Sequence, residues 1–111
     1  MRTESDYLGS MEIPDDALYG IHSLRAKENF PDTTPFHLEW YKAMGVVKHS
    51  CYLTYFDFAK AFRADPEVSK KDFSLIYDHV VDALVKAAVE VSEGKHFDQF
   101  IVPAIQGGAG T

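Results

Sequence analysis

The fold is decided by residues 34–64, which read TPFHLEWYKAMGVVKHSCYLTYFDFAKAFRA. Thr34 can serve as the N-cap of a helix, and Pro35 suits the first helical position, where its missing N–H costs no hydrogen bond. The apolar positions that follow recur at intervals of three and four and so share one helical face: Trp40, Met44, Val47, Cys51, Tyr55, Phe58 and Phe62. The residue before Pro66 avoids helical backbone angles. The stretch therefore predicts one long helix that ends at Ala64.

A second helix is predicted from about Lys70 to Glu93. Ser69 and Asp72 resemble a capping box, and Gly94 is well placed to end the helix. Its apolar stripe consists of Phe73, Ile76, Val80, Leu84, Ala87 and Val91, and a neighbouring row widens it, namely Tyr77, Val81, Val85 and Ala88. A face this broad indicates packing on two sides. The two helices together predict a long helical hairpin.

The first 33 residues are rich in turn-forming residues. Two short extended pieces, Tyr7-Leu8 and 11–13, are predicted around a turn at Gly9-Ser10, followed by a short helix over 21–29. The fold class predicted is therefore mainly α, in which a short N-terminal extended and turn segment precedes the helical hairpin. We expect residues 1–111 to form a single domain.

Composition and charge exclude several classes of protein. Hydrophobic residues make up 46% of the chain and charged residues 25%, which is typical of a soluble globular protein. Eleven Lys and Arg against seventeen Asp and Glu give a net charge of −6, which argues against nucleic acid as a partner. No apolar run is long enough for a membrane span, and the polar start lacks the apolar core of a signal peptide. Cys51 is the single cysteine, so we expect a cytoplasmic protein without an internal disulfide, and a core position for this thiol on the apolar stripe.

Most of the groups capable of chemistry have an ordinary structural interpretation. The five histidines form no zinc-binding pattern, so no metal is expected. Asp15-Asp16 fits a turn, and the Asp78 and Asp82 pair fits a solvated helix face, better than acid–base catalysis. Arg25 either faces a binding site or pairs with Glu28, and both possibilities stay open. The dense aromatic residues of the long helix indicate an interface: Tyr52, Tyr55, Phe56, Phe58 and Phe62.

The C-terminal residues 106–111, QGGAGT, are the strongest candidate for a site. They lack the Lys-Ser/Thr and the following helix that a phosphate-binding loop needs. A loop of this kind can instead present the Thr111 hydroxyl and backbone N–H groups to an anionic ligand. A glycine-rich turn usually leads into another element, so we expect the chain to be part of a longer protein.

Two separate motifs resemble those of aspartate ammonia-lyases, which are members of the aspartase/fumarase superfamily. The first covers residues 2–9 and 13–31, and includes ALYGIHSLRAKENFP; the second is Asp98-Gln99-Phe100 followed by QGGAGT. The resemblance implies the N-terminal domain of a homotetrameric enzyme whose central helical bundle and C-terminal domain are absent from these residues. It also implies reversible elimination of ammonia from L-aspartate to give fumarate, without metal or organic cofactor.

The same resemblance assigns roles to four residues. Thr111 matches the threonine whose hydroxyl contacts the substrate carboxylate, and Gly107, Gly108 and Gly110 match the loop that lets the backbone approach the substrate. The family's catalytic serine loop does not occur in the 111 residues, so we expect no catalytic residue here and an inactive chain. Two alternatives stay open: a class II fumarase, and a stand-alone helical module that associates through its aromatic face.

Overall fold

A computed structural model describes residues 1–70 and 73–106. Its elements are two strands and three helices, followed by one turn of 3-10 helix. In chain order they are β1 (Arg2–Asp6), β2 (Gly9–Ile13), α1 (Ile21–Asn29), α2 (Leu38–Ala64), α3 (Asp78–Ser92) and the 3-10 turn (Phe97–Gln99). The chain divides into two compact units, Met1–Leu38 with His96–Thr111 (the terminal unit) and Glu39–Lys95 (the helical unit). The mainly helical fold class is confirmed.

The strands β1 and β2 form an antiparallel hairpin in which Asp6 pairs with Gly9. The turn is therefore Tyr7-Leu8, and the prediction of a turn at Gly9-Ser10 was wrong. An Asp6 carboxylate oxygen accepts the Leu8 N–H at 2.9 Å, which is how an aspartate stabilises a turn two residues on. Gly9 supplies the positive φ of 120° with which the second strand begins.

The short helix α1 covers the predicted residues, but its N-terminus is capped from outside the helix. Gly20 occupies the N-cap position and has no side chain to offer. The Ile21 N–H instead donates to a carboxylate oxygen of Glu4, on β1, at 2.9 Å. The hairpin thus stabilises the helix that follows it.

The long helix α2 ends at Ala64 as predicted but begins at Leu38, so the prediction of a Thr34 cap was wrong. The Thr34 N–H donates to Asp32 at 2.6 Å, and the Thr34 carbonyl accepts the Ala104 N–H at 2.9 Å. Both backbone groups of Thr34 are committed to loop contacts, which replace the local helical preference.

The helix α3 begins at Asp78, eight residues later than predicted. The ring of Phe73 lies 6.2 Å from that of Phe58 and 5.6 Å from that of Phe62, and the Ile76 N–H donates to the Tyr55 hydroxyl at 2.7 Å. These contacts hold residues 73–77 in a non-helical path. Ser69 lies in a turn, and the other half of the predicted capping box, Asp72, lies outside the described residues.

The end of α3 confirms the role of Gly94. This glycine has a φ of 86°, and its N–H donates to the Val91 carbonyl at 2.9 Å. The Lys95 N–H donates to the Glu90 carbonyl at 3.0 Å. The pair of bonds is the Schellman motif, which requires the left-handed backbone that glycine adopts readily.

The buried faces of the two long helices are displaced from the predicted stripes. Tyr41 and Ala59 are buried on α2, and Val81 and Ala88 on α3. A Cβ on Gly45 would lie 2.3 Å from the Ser92 nitrogen, so the backbones of α2 and α3 come very close at this point. Small residues permit that approach, and they therefore select the contact face.

The predicted stripe of α2 lies beside this contact face and is largely exposed. Trp40 and Val47 are each 53% exposed and Phe58 is 48% exposed. Cys51 is exposed, so its predicted core position was wrong. On α3 the buried residues, Val81 and Ala88, belong to the neighbouring row that was expected only to widen the apolar stripe. Ala87, a member of the predicted stripe itself, is exposed.

Candidate functional site

The structure does not describe the four residues that are predicted to bind substrate, namely Thr111, Gly107, Gly108 and Gly110. The structure does describe the residues that lead to them, 96–106, which we call the approach segment. It contains the 3-10 turn, and then a turn in which the Gln106 N–H donates to the Pro103 carbonyl at 3.1 Å. Pro103 is buried. The residues before the candidate loop therefore have defined structure.

Two hydrogen bonds attach the approach segment to the N-terminal part of the terminal unit. The Gln99 side-chain oxygen accepts the Leu18 N–H at 2.9 Å. Further along, the Ala104 N–H donates to the Thr34 carbonyl at 2.9 Å. The approach segment is thereby fixed both at its 3-10 turn and close to its end.

The loop that carries Leu18 is itself held by Arg2 of β1. The Arg2 guanidinium donates to the carbonyls of Pro14, Ala17 and Tyr19 at 2.8, 3.0 and 2.8 Å. A guanidinium has five N–H donors in a rigid plane, so one side chain can bind several carbonyls at once. Bonds on both sides of Leu18 fix the position of its N–H.

Glu4 connects Arg2 to the start of α1. Its carboxylate accepts the Ile21 N–H through one oxygen and the Arg2 Nε–H, at 2.9 Å, through the other. The Ile21 N–H, followed by Arg2, holds the pKa of the Glu4 carboxyl below its usual value. Glu4 is thus expected to be ionised at neutral pH, as both bonds require.

Arg25 pairs with Asp6, and not with Glu28. Its Nε and one terminal nitrogen donate to the two Asp6 carboxylate oxygens at 2.8 and 2.9 Å. The same terminal nitrogen donates to the Gly9 carbonyl at 3.1 Å. This bidentate bond holds the pKa of the Asp6 carboxyl below its usual value. Arg25 therefore fixes the strand hairpin against α1.

A cleft of about 480 Å³ lies between the approach segment and residues 27–35. Its lining residues are mostly apolar, including Phe30, Phe97 and Phe100. Among the described residues that line it, the charged ones are one lysine, Lys27, and two aspartates, Asp32 and Asp98. This charge balance disfavours a dicarboxylate, so the cleft is a poor match for the substrate implied by the sequence.

The paired acidic residues lie where their structural interpretations predict. Asp15 accepts the N-terminal ammonium at 2.6 Å, and Asp78 pairs with Arg63 at 2.9 Å near the start of α3. No cluster of three or more potential metal ligands lies within residues 1–70 and 73–106. Over the same residues, no helix has the length and apolar character to cross a membrane.

Sequence reasoning missed the parts played by Arg2, Glu4 and Gln99. Arg2 and Glu4 are two residues apart on β1, which places both side chains on one face of the strand. This alternation could have predicted an ion pair between the two side chains. Nothing in the sequence indicates that Gln99 bonds to Leu18, because 81 positions separate the two residues.

Comparison with known proteins finds similar sequences over the whole chain. An aspartate ammonia-lyase of a Bacillus species is 47% identical over 112 residues, and that of Bacillus subtilis is 41% identical over 111 residues. A class II fumarate hydratase of Halobacterium salinarum is also 41% identical over 111 residues. These matches cover 99 to 100% of this chain and 20 to 21% of the relatives, so the chain spans about a fifth of their length. No family profile matches.

Solved structures agree with the sequence matches. A fumarate lyase:delta crystallin from Brucella melitensis, in native form, superposes with a TM-score of 0.74 at 29% identity over 99% of this chain and 22% of that one. The cobalt-bound form of that protein gives a TM-score of 0.73 at the same identity, over 98% of this chain and 21% of that one. Fold and sequence therefore point to the same group of enzymes.

Proposed function

This chain belongs to the aspartase/fumarase superfamily, and from that premise we propose that it is the N-terminal domain of a lyase that reversibly eliminates ammonia from L-aspartate to give fumarate. The observation that carries the proposal is its similarity to two aspartate ammonia-lyases over its whole length, at 47% and 41% identity. The chain spans about a fifth of those relatives, and the resemblance implies that the complete enzyme also contains a central helical bundle and a C-terminal domain.

We propose that the QGGAGT loop binds a substrate carboxylate. Thr111 donates its hydroxyl, and Gly107, Gly108 and Gly110 allow the backbone to approach because they have no Cβ. Removal of the Cβ proton places extra negative charge on the adjacent carboxylate. Donors aimed at that carboxylate stabilise the transition state more than the substrate, and so accelerate the elimination. The hydrogen bonds of residues 96–106 place defined backbone directly before this loop, which supports the proposal.

The base that removes the proton would come from outside these 111 residues, since the family's catalytic serine loop is not in the sequence. The chain by itself is therefore proposed to be inactive. Assembly into a homotetramer in the cytoplasm, without a metal or organic cofactor, belongs to the same proposal. Half-exposed aromatic residues on the helical unit, such as Phe56 and Phe58, fit a surface that other parts of such an enzyme cover.

The test begins with the reading frame beyond the Thr111 codon. The whole product of the frame is expressed, and ammonia release from L-aspartate is measured beside fumarate formation from L-malate. The proposal requires release of ammonia, and a fall in kcat/KM of about 10²-fold in Thr111→Val, the typical effect of removing one such donor. Thr54→Val is the matched control, because Thr54 donates only within α2, to the Ser50 carbonyl.

Two outcomes contradict the proposal. A product that converts L-malate but not L-aspartate makes the protein a fumarase, the second candidate, which the 41% identity to a fumarate hydratase favours specifically. A stop codon directly after Thr111 leaves the stand-alone interaction module. Light scattering then decides that case, because such a module should dimerise through its aromatic face.

A further inference from the structure

Residues 73–77 have the sequence of a helix but do not form one. Residues 67–93 contain no proline or glycine, so nothing in the local sequence prevents a helix before Asp78. The apolar pattern of α3 also continues back through Ile76 and Phe73 at helical spacing. In the structure, however, α3 begins at Asp78. Local preference and tertiary contacts therefore compete in this segment.

The junction of the segment with α3 lies at Tyr77. This residue occupies the N-cap position with a φ of −62° and a ψ of 141°, and no side-chain hydrogen bond caps the helix there. The φ is already that of a helix, so rotation of ψ to about −42° brings Tyr77 itself into α3. Its side chain is 74% exposed, so burial does not hold the present angle. The helix therefore starts at a residue that does not block its extension.

Three contacts hold the segment against α2. The ring of Phe73 lies 6.2 Å from that of Phe58 and 5.6 Å from that of Phe62. The Ile76 N–H donates to the Tyr55 hydroxyl at 2.7 Å. These contacts lie at the surface, because Phe58, Phe73 and Ile76 are 48%, 55% and 43% exposed. An aromatic pair or a hydrogen bond of this kind changes the ratio of two states by about two- to tenfold.

We propose that residues 73–77 are a conformational switch with two states. In the major state they lie against α2, and in the minor state they leave α2 and extend α3 back to Phe73. Adding a residue to an existing helix changes the free energy little, so the three contacts set the ratio of the states. Taken together they leave about 1% of the chains in the helical state. The minor state uncovers Phe58 and Phe62, so a contact that covers these rings in place of Phe73 lengthens α3.

The Cα chemical shifts of the 111-residue chain test the switch, because residues 74–76 take helical values only when α3 is extended. Tyr55→Phe removes the hydroxyl acceptor and should raise the helical population about fivefold. Phe73→Ala removes both ring contacts and should raise that population to about 20%. The double variant should be about half helical in this segment. Tyr52→Phe removes a hydroxyl one turn earlier on α2, and this control should leave the shifts unchanged.

A second pair of variants tests whether the minor state is a helix. Ser74 is exposed, so Ser74→Ala and Ser74→Gly, each made on Phe73→Ala, differ mainly in helix propensity. The ratio of helical to non-helical chains should be about fivefold higher with alanine than with glycine. Wild-type shifts over residues 81–92 verify that α3 itself is intact. Equal populations in the Ser74 pair overturn the proposal, and so does an unchanged helical population in Tyr55→Phe, which alters a single surface hydroxyl.

Discussion

The contact between α2 and α3 at Gly45 permits a prediction in which two effects oppose each other. A Cβ at this position would lie 2.3 Å from the Ser92 nitrogen and 2.8 Å from its Cα. Ordinary contacts begin near 3.4 Å, so the helices would have to separate by about 1 Å. The obstructing atoms belong to the backbone, and no side-chain rotation relieves the overlap.

Gly45→Ala should therefore destabilise the helical unit. Overpacking of this kind costs about 1–3 kcal/mol or more, because separation also loosens the packing around Tyr41 and Ala88. The gain in helix propensity from glycine to alanine is about 1 kcal/mol, and it offsets only part of that cost. We expect a net loss of about 1–3 kcal/mol in the free energy of unfolding, and a Tm lower by about 5–15 °C.

Urea and thermal unfolding of the 111-residue chain, followed by far-ultraviolet circular dichroism, measures this change. Asp57→Ala is the matched control, because it improves helix propensity by about 0.5 kcal/mol at an exposed position of α2. A Gly45→Ala variant as stable as the wild type, or more stable, would refute the close approach of the two backbones.

Three further predictions concern single groups. Gly94→Ala should lower the free energy of unfolding, measured by urea titration, by about 1 kcal/mol, because the φ of this residue is 86°. Gly94→Asn should lower it less, since asparagine adopts the left-handed conformation more readily than alanine. Equal losses in the two variants would contradict a left-handed requirement. Hydrogen bonds lower the pKa values of the Glu4 and Asp6 carboxyls in the folded chain. The ionised carboxyls therefore stabilise the fold above their unfolded pKa values, and this stabilisation is lost as pH falls through the folded ones. Unfolding measured at a series of pH values should show a lower free energy of unfolding below about pH 4. The double variant Glu4→Gln, Asp6→Asn should flatten that dependence, and an unchanged slope would argue against these bonds. Cys51 should react with a thiol reagent in the native chain at nearly the unfolded rate, with Cys51→Ser costing less than about 0.5 kcal/mol; protection of the thiol would contradict its exposure.

Signals that act within a few residues were readable from the sequence. The bounds of α1, the end of α2 before Pro66 and the end of α3 at Gly94 were all predicted correctly. Each depends on backbone angles that proline or glycine imposes locally, or on a short apolar pattern between turn residues. The resemblance of the two terminal motifs also depended on residue identity alone, and the comparisons confirm it.

Signals that depend on distant partners were misread. Thr34 has the residue type of a helix cap, yet its backbone groups bond to Asp32 and Ala104. The late start of α3 follows from the packing of Phe73 against aromatic rings of α2. Local helix propensity does not include such a long-range contact.

By itself, the sequence determined the helical class of this protein and the enzyme family that it resembles; the carboxylate-binding loop remains a prediction. Only the tertiary structure decided which faces meet. The periodic apolar residues of α2 predicted one face, whereas the close approach at Gly45 buries the neighbouring face, which carries small residues. Likewise, the bond from Gln99 to Leu18 spans 81 positions and exists only because folding brings the two together. Hydrophobic periodicity specifies that a face will be buried, whereas steric fit between backbones specifies which surface that face packs against.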